Sequence, residues 1–305
     1  MNLDFSNIKV IVVGDLMIDN YMMGTSVRTS PEAPVPVIVP DNKYFVAGGA
    51  ANVAMNLASL GSKVSCAGVI GNDNFGQNLR KALNEKAIDT KYVESFENFT
   101  TTSKERIYCN GKQVVRIDNE EFFEKKCSFM EINFNKYDVI ILSDYNKGVL
   151  SKSWFKKPKN SLVFLDPRKS SINFSQCDII TPNLNELREL SGKNINSEID
   201  IILSGKKILN KYNLQYVIAK RGEEGITIIG NKDYVKHLNA KFVKNPDVTG
   251  AGDTVISSIS LAFALTNDIV KSVEFAINAS ALAVSKPGTA TVTIDEINNY
   301  IQNYE

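Results

Sequence analysis

An aspartate stands inside a glycine loop in DVTGAGDT, Asp247 to Thr254. Upstream, Lys244–Pro246 (KNP) excludes regular structure, and downstream VISSISLAFAL, Val255 to Leu265, carries apolar residues at helical spacing. The loop therefore feeds a helix N-terminus, where unpaired N–H groups and a partial positive charge attract anions and glycines let them come close. Gly250, Ala251 and Gly252 are positioned to form an anion hole. An acid there, Asp253, would repel a bound phosphate, so it suits a base beside a phosphoryl acceptor better than a binding site alone. A carboxylate suffices because the attacking hydroxyl becomes acidic only as its bond to phosphorus forms. General-base help is worth roughly 10²–10⁴-fold, and each oxyanion donor about 3–4 kcal/mol. The same residues also read as a tight turn with an acidic helix cap, so other segments must decide.

Strand-length apolar runs alternate with helical patterns along most of the chain, the mark of parallel βαβ units. The pattern predicts strand Ile8–Gly14, helix Ala50–Leu60, strand Lys63–Ile70, helix Asn74–Lys86, and strands Asp138–Leu142, Leu162–Leu165 and Asp178–Ile180. Helices Asn185–Leu190 and Asp200–Tyr212 flank these, followed by strand Gln215–Ala219. Helices Thr254–Leu265, Ile269–Ser285 and Ile294–Gln302 close the chain, with a strand-like Thr-Ala-Thr between the last two. Two segments break the pattern. Tyr21–Phe45 contains TSPEAPVPVIVP, whose four prolines restrict it to edge strand or loop. Lys91–Asp118 alternates around an Asn110-Gly111 hairpin signal. Together they are expected to form a small β-sheet over the main domain.

The 305 residues suffice for a large core, and 35 basic against 34 acidic residues, with no dense basic run, argue against nucleic acid or an anionic membrane as partner. Cys66, Cys109, Cys127 and Cys177 lack metal-ligand spacing and read as buried filler in a reducing compartment. No segment is long and apolar enough to span a membrane, so a cytoplasmic location is expected. His237 is the only histidine, which excludes Ser-His-Asp hydrolysis and HExxH zinc chemistry. Proton transfer falls to Asp, Glu, Lys, Tyr or water.

VAGGAANVAMNLASLG (Val46–Gly61), AGVIGNDNFG (Ala67–Gly76) and DVTGAGDT, in that order, resemble the two signatures of the ribokinase-like (PfkB) carbohydrate kinase family. TSPEAPVPV, TTSKERIY, QVVRID, LSDYNKG and TPNLNE are similar to its D-glycero-β-D-manno-heptose 7-phosphate kinase branch, the N-terminal half of bifunctional ADP-heptose synthesis enzymes. The resemblance implies one α/β domain over residues 1–305: a ribokinase-like three-layer α/β/α arrangement, a mainly parallel sheet, and a lid from about 16–46 and 91–118. This chain stops after the kinase-like part, so a separate nucleotidyltransferase in the same pathway is expected, or a different pathway.

Carried over residue by residue, the resemblance makes Asp253 the base. Asn183 and Glu186 would help place Mg²⁺ and its waters, although Asn followed by Glu three residues on is also a capping box. With no GxxxxGK[ST] or GxGxxG loop, ATP would be held at KRGEEG, with Gly222 and Gly225 admitting backbone and Lys220 beside phosphate, unless that charge is merely solvated. Asn278 would line the adenine pocket or sit as a satisfied buried amide. Asp15, beyond a strand's carboxyl end, faces the expected crevice. With Asp19, Gly48, Gly49 and Asn52 it would contact sugar, Asp19 being equally a turn residue. Lys104, Arg106, Arg116 and Lys147 are candidates for substrate phosphate, and Asp144 of SDYNKG is grouped with the sugar-side residues. Asp247, Thr249, Ser285 and Gly288 correspond to a loop pair that holds K⁺ in several family members. The implied activity is ATP- and Mg²⁺-dependent phosphorylation of a heptose 7-phosphate at its anomeric hydroxyl. The alternatives are another sugar or sugar phosphate, or a silent sugar-phosphate sensor. Exposed lid strands suggest a homodimer formed edge to edge.

Overall fold

Runs such as VIVVG and VIILS become buried strands because helices cover both faces of the sheet they join. The computed structural model describes residues 3–125, 127–150, 155–168 and 174–304. In chain order its elements begin β1 (Lys9–Gly14), β2 (Leu16–Thr25), β3 (Val39–Gly49), α1 (Ala50–Ser59), β4 (Lys63–Gly71), α2 (Asn74–Glu85) and β5 (Asp89–Phe96). They continue with β6 (Thr102–Cys109), β7 (Lys112–Asn119), β8 (Val139–Ser143), β9 (Leu162–Asp166), β10 (Ile179–Ile180), α3 (Leu184–Ser191) and α4 (Glu198–Tyr212). The last are β11 (Tyr216–Lys220), β12 (Ile226–Gly230), β13 (Val235–Leu238), α5 (Ala251–Thr266), α6 (Ile269–Val284) and α7 (Ile294–Tyr304).

The main sheet has the order β13-β12-β11-β10-β9-β8-β1-β4-β5. It is parallel from β5 to β11, and β12 and β13 add an antiparallel edge. Successive residues of each strand face opposite cores. Val10, Val12, Ile141 and Ile218 share one with Leu57 of α1, Ile259 of α5 and Val273 of α6; Ile11, Val13, Ile140 and Val217 share the other with Leu187 of α3 and Ile208 of α4. The three-layer α/β/α expectation therefore holds. Local signals fix the helix ends: Asn183 and Glu186 form a reciprocal capping box on α3, and Asn213 and Asn267 end α4 and α5 in left-handed conformations.

A second sheet, β3-β2-β6-β7, stands off the first. β2 pairs antiparallel with β3 and parallel with β6, and β6–β7 is the hairpin predicted at Asn110-Gly111. The lid begins at Leu16, as expected, but differs at its other limits. Its second strand runs on to Gly49, while Lys91–Phe96 lies in β5 and pairs with β4 in the main sheet. β12 and β13 were not anticipated, since the short ITIIG run follows directly on the KRGEEG turn. The Thr289–Thr291 stretch, strand-like in sequence, forms no strand. Asp15, Asp144, Asp166 and Lys220 all sit at carboxyl ends of strands in the main sheet, the edge where parallel α/β sheets bind ligands.

Candidate active site

Gly250 caps α5 with φ 76°, a conformation that costs other residues strain, and a Cβ there would lie 2.7 Å from Asn52 Nδ2. The first turn that follows carries Asp253, which is buried. Its Oδ2 accepts from Asn52 Nδ2 at 2.7 Å and its Oδ1 from the Tyr145 hydroxyl at 2.8 Å. Burial pushes its carboxyl up to about 6; the Asn52 and Tyr145 hydrogen bonds and Lys220 pull it down, and Asp166 pushes it further up. Such a group is ionised near neutrality yet basic enough to accept a proton. Of the three amides expected to make the anion hole, that of Ala251 donates to the Val248 carbonyl at 3.2 Å. The Gly252 amide shows no protein acceptor among the described residues, which leaves it to face a ligand.

The sugar-side aspartates differ from expectation in detail. Asp15 is 1% exposed. Oδ2 accepts from the amides of Tyr145 (2.7 Å) and Lys147 (3.1 Å), and Oδ1 from Val149 (3.2 Å), so it pins the SDYNKG loop and keeps one of its about four lone-pair sites. Asp144 Oδ1 accepts from the Asn146 amide at 2.8 Å, closing the turn of the same loop. Gly48 and Gly49 have a packing reason: added Cβ atoms would lie 2.7 Å from Asp19 Oδ2 and 2.5 Å from the Asp15 carbonyl, and Gly49 has φ 57°.

Lid register places Asp19 beside Lys104 and Arg106 beside Arg116, so all four lie on one face of that sheet. Each cation has an acidic partner. Arg106 binds Asp19 at 2.6 Å and Arg116 binds Asp118 at 2.8 Å; Glu120 pairs with Lys147 and lies 3.7 Å from Lys104. Glu120 escaped the sequence reading because an acid in DNEEFF carries no pattern of its own.

On the other side, Asp166 Oδ1 accepts from Lys220 Nζ at 2.5 Å and from Thr181 Oγ1 at 2.8 Å. Lys220 Nζ lies 3.3 Å from where a Gly252 Cβ would stand, so the ammonium reaches the head of α5. Glu186 is buried enough to raise its carboxyl, with Lys220 pulling it down and Asp166 pushing it up, and Arg168 lies 3.9 Å away. Asp166 ends the apolar run of β9 as Asp15 follows that of β1, a signal too weak alone to mark it in the sequence.

A cleft of about 750 Å³ runs from the KRGEEG turn to the head of α5, lined by Lys220, Gly222, Gly225, Gly252 and the apolar Ile277 and Ala281 among others. That is the size of a small-molecule site. Asn278 is not on its wall. Its side chain donates to the Glu274 carbonyl at 2.9 Å, and Ile277, Ser280, Ala281 and Val284, one helical face, line the cleft instead. Asp247 joins the two loops assigned to a monovalent cation, accepting from Gly288 N at 2.7 Å and Thr249 N at 3.1 Å, while the Ser285 hydroxyl turns to the Leu282 carbonyl. His237 contacts Thr227, Arg221 and Glu198, away from Asp253. Among the described residues no cluster of three His, Cys, Asp or Glu is arranged to hold a metal by itself, and no helix is long and apolar enough to cross a membrane. Mg²⁺ needs only one or two carboxylates beside phosphates and water, which Asp166 and Glu186 match.

The profile described as pfkB family carbohydrate kinase matches residues 7–296. The chain is 40% identical over 308 residues to the Bifunctional protein HldE of Aliarcobacter butzleri (strain RM4018), covering 96% of this chain and 64% of that protein. Against the Bifunctional protein HldE of Blochmanniella floridana it is 36% identical over 318 residues, covering 99% and 65%. It therefore spans slightly under two thirds of these curated relatives. Its fold resembles that of Arabidopsis thaliana ribokinase complexed with ribose and ATP, with a TM-score of 0.76 at 20% identity over 96% of this chain and 98% of that one.

Proposed function

This chain belongs to the pfkB family of carbohydrate kinases, and on that premise we propose that it transfers the γ-phosphoryl group of ATP to the anomeric hydroxyl of D-glycero-β-D-manno-heptose 7-phosphate. The observation that carries the reading is Asp253, a buried carboxylate raised to about 6 at a helix N-terminus, between a sugar-side Asn52 and a nucleotide-side Lys220. The lid motifs and the resemblance to the HldE proteins support the heptose over ribose or fructose.

ATP lies in the cleft beside Gly222 and Gly225, its base against the apolar wall of α6 and its phosphates toward the head of α5. Asp166 and Glu186 would hold Mg²⁺ directly or through water, and it would supply charge neutralisation at the phosphates. Lys220 stands where charge builds on the moving phosphoryl group, and the amides of the first turn of α5 bind its oxygens. Asp253 accepts the proton of the anomeric hydroxyl as the oxygen bonds to phosphorus. The proton ends on the carboxylate and ADP leaves. Lys104 of the lid and Lys147 of the SDYNKG loop, held together by Glu120, serve the 7-phosphate. K⁺ at the Asp247 loops, pairing of two lids in a dimer and a cytoplasmic location complete the proposal.

The test is ³¹P NMR of the protein with ATP, Mg²⁺ and K⁺ against the heptose 7-phosphate, ribose, fructose and fructose 6-phosphate. A new anomeric phosphate only with the heptose is expected. Turnover with a different sugar overturns the substrate, and no turnover across the panel favours a sugar-phosphate sensor.

A further inference from the structure

The contact between Tyr145 and Asp253 joins the loop after β8 to the first turn of α5, which the reaction, as described so far, does not require to touch. Tyr145 follows β8 in SDYNKG, and its hydroxyl donates to Asp253 Oδ1 at 2.8 Å, 108 positions away. Its backbone is fixed from behind, because the amides of Tyr145, Lys147 and Val149 all converge on the buried Asp15 carboxylate. Its ring is covered by the Arg168 guanidinium, 5.1 Å from the ring centre, and Arg168 in turn lies 3.9 Å from Glu186. We propose that Tyr145 is a positioning residue for the phosphoryl-transfer step: its hydroxyl fixes the rotation of the Asp253 carboxylate, and Asp15 acts by fixing the loop that carries it. The inference rests on the reading of Asp253 as the base.

A carboxylate held at one oxygen only can turn about its Cβ–Cγ bond, and its free lone pairs then sweep an arc. With Asn52 on Oδ2 and Tyr145 on Oδ1 the plane is fixed, and of about four lone-pair sites two remain, aimed in set directions. One of these takes the substrate hydroxyl. Burial holds the phenol well above its ordinary value, so it stays protonated and acts as a donor. The charged groups facing the pair are Asp166 and Lys220, from the ends of β9 and β11, and Arg168 beyond β9. None replaces the hydroxyl's bond. A role in packing alone needs only the ring, which phenylalanine supplies, so Tyr145→Phe separates the two.

With [γ-¹³C]aspartate-labelled protein, the Asp253 carboxyl, assigned by its loss in Asp253→Asn, is titrated in wild type and Tyr145→Phe. Loss of a hydrogen bond to a charged group moves the midpoint up by about one pH unit. The acid limb of kcat/KM moves up by the same amount while KM for ATP holds. An unchanged midpoint overturns the proposal. Wild-type protein labelled with [ζ-¹³C]tyrosine gives a reading that does not depend on Tyr145→Phe folding. One tyrosine resonance should step at the Asp253 midpoint and lose that step in Asp253→Asn, whereas no such step overturns the proposal. Full turnover by Asp253→Asn would instead remove the base assignment, an outcome read in a separate assay.

Discussion

Asn52 and Asp253, 201 positions apart, meet through one buried hydrogen bond of 2.7 Å between α1 and α5. The contact ties the GGxxN helix start to the TGAGD helix start, so the two ends of the signature pattern form one polar centre. Behind it Asn56 Nδ2 donates to the Asn52 carbonyl at 2.9 Å, and the Thr254 hydroxyl donates to Asn56 at 3.1 Å.

Replacing Asn52 by Leu should remove a donor worth roughly 1.5–3 kcal/mol to the ionised carboxylate. The Asp253 midpoint should rise and kcat fall about 10–100-fold. A pH profile of kcat checks this. The acid limb should shift upward, whereas a fall in kcat with no shift would assign Asn52 to sugar contact alone.

The pH dependence of stability has a definite sign. The Asp253 carboxyl stands at about 6 against an ordinary 3.8, so the folded state binds this proton more tightly than the unfolded state. Its contribution therefore turns unfavourable as pH rises from 3.8 through 6, and the deficit persists above, at roughly 3 kcal/mol. Asp15, also raised to about 6, acts in the same sense. Asp253→Asn should melt higher than wild type at pH 8, with the gain vanishing below about pH 4. Thermal unfolding across that range is the measurement.

Lys220→Met should leave Asp166 without its 2.5 Å partner and the head of α5 without its ammonium. A loss in kcat of about 10²-fold or more is expected, in line with removal of one transition-state donor. KM for the sugar should be unchanged, which steady-state kinetics with each substrate varied will show.

Glu120→Gln should free Lys104 and Lys147 from their shared carboxylate. If these lysines serve a substrate phosphate, KM should fall several-fold for a phosphorylated sugar and stay constant for its unphosphorylated parent. Equal changes for both would remove the lysines from phosphate recognition.

The fold was readable where the period of apolar residues was unbroken, as in β1, β8 and α5. It was least readable at β12 and β13, five and four residues long, and at Lys91–Phe96, whose half-buried alternation suits the edge of the main sheet as well as a lid. In the candidate site, Asp253 and Asn52 were visible because glycines and helix starts surround them. Tyr145, Asp166 and Glu120 were not, because their importance comes from contacts spanning 108, 54 and 27 positions that no local pattern encodes. Asp15 was found for its place at a strand end, yet its neighbours there are amides, which a sequence does not display. At Asn278 the alternative of a satisfied amide is what the structure shows: one step around a helix, about 100°, separates the cleft wall from a side chain bonded to its own backbone.

The central claim is that Asp253 takes the proton from an anomeric hydroxyl. The most direct measurement is ³¹P NMR of wild type and Asp253→Asn side by side, with ATP, Mg²⁺ and D-glycero-β-D-manno-heptose 7-phosphate at saturating concentrations. A new anomeric phosphate is expected with wild type, and a rate lower by about 10²-fold or more with the variant, its nucleotide binding retained. Equal rates of that product from both proteins would contradict the account.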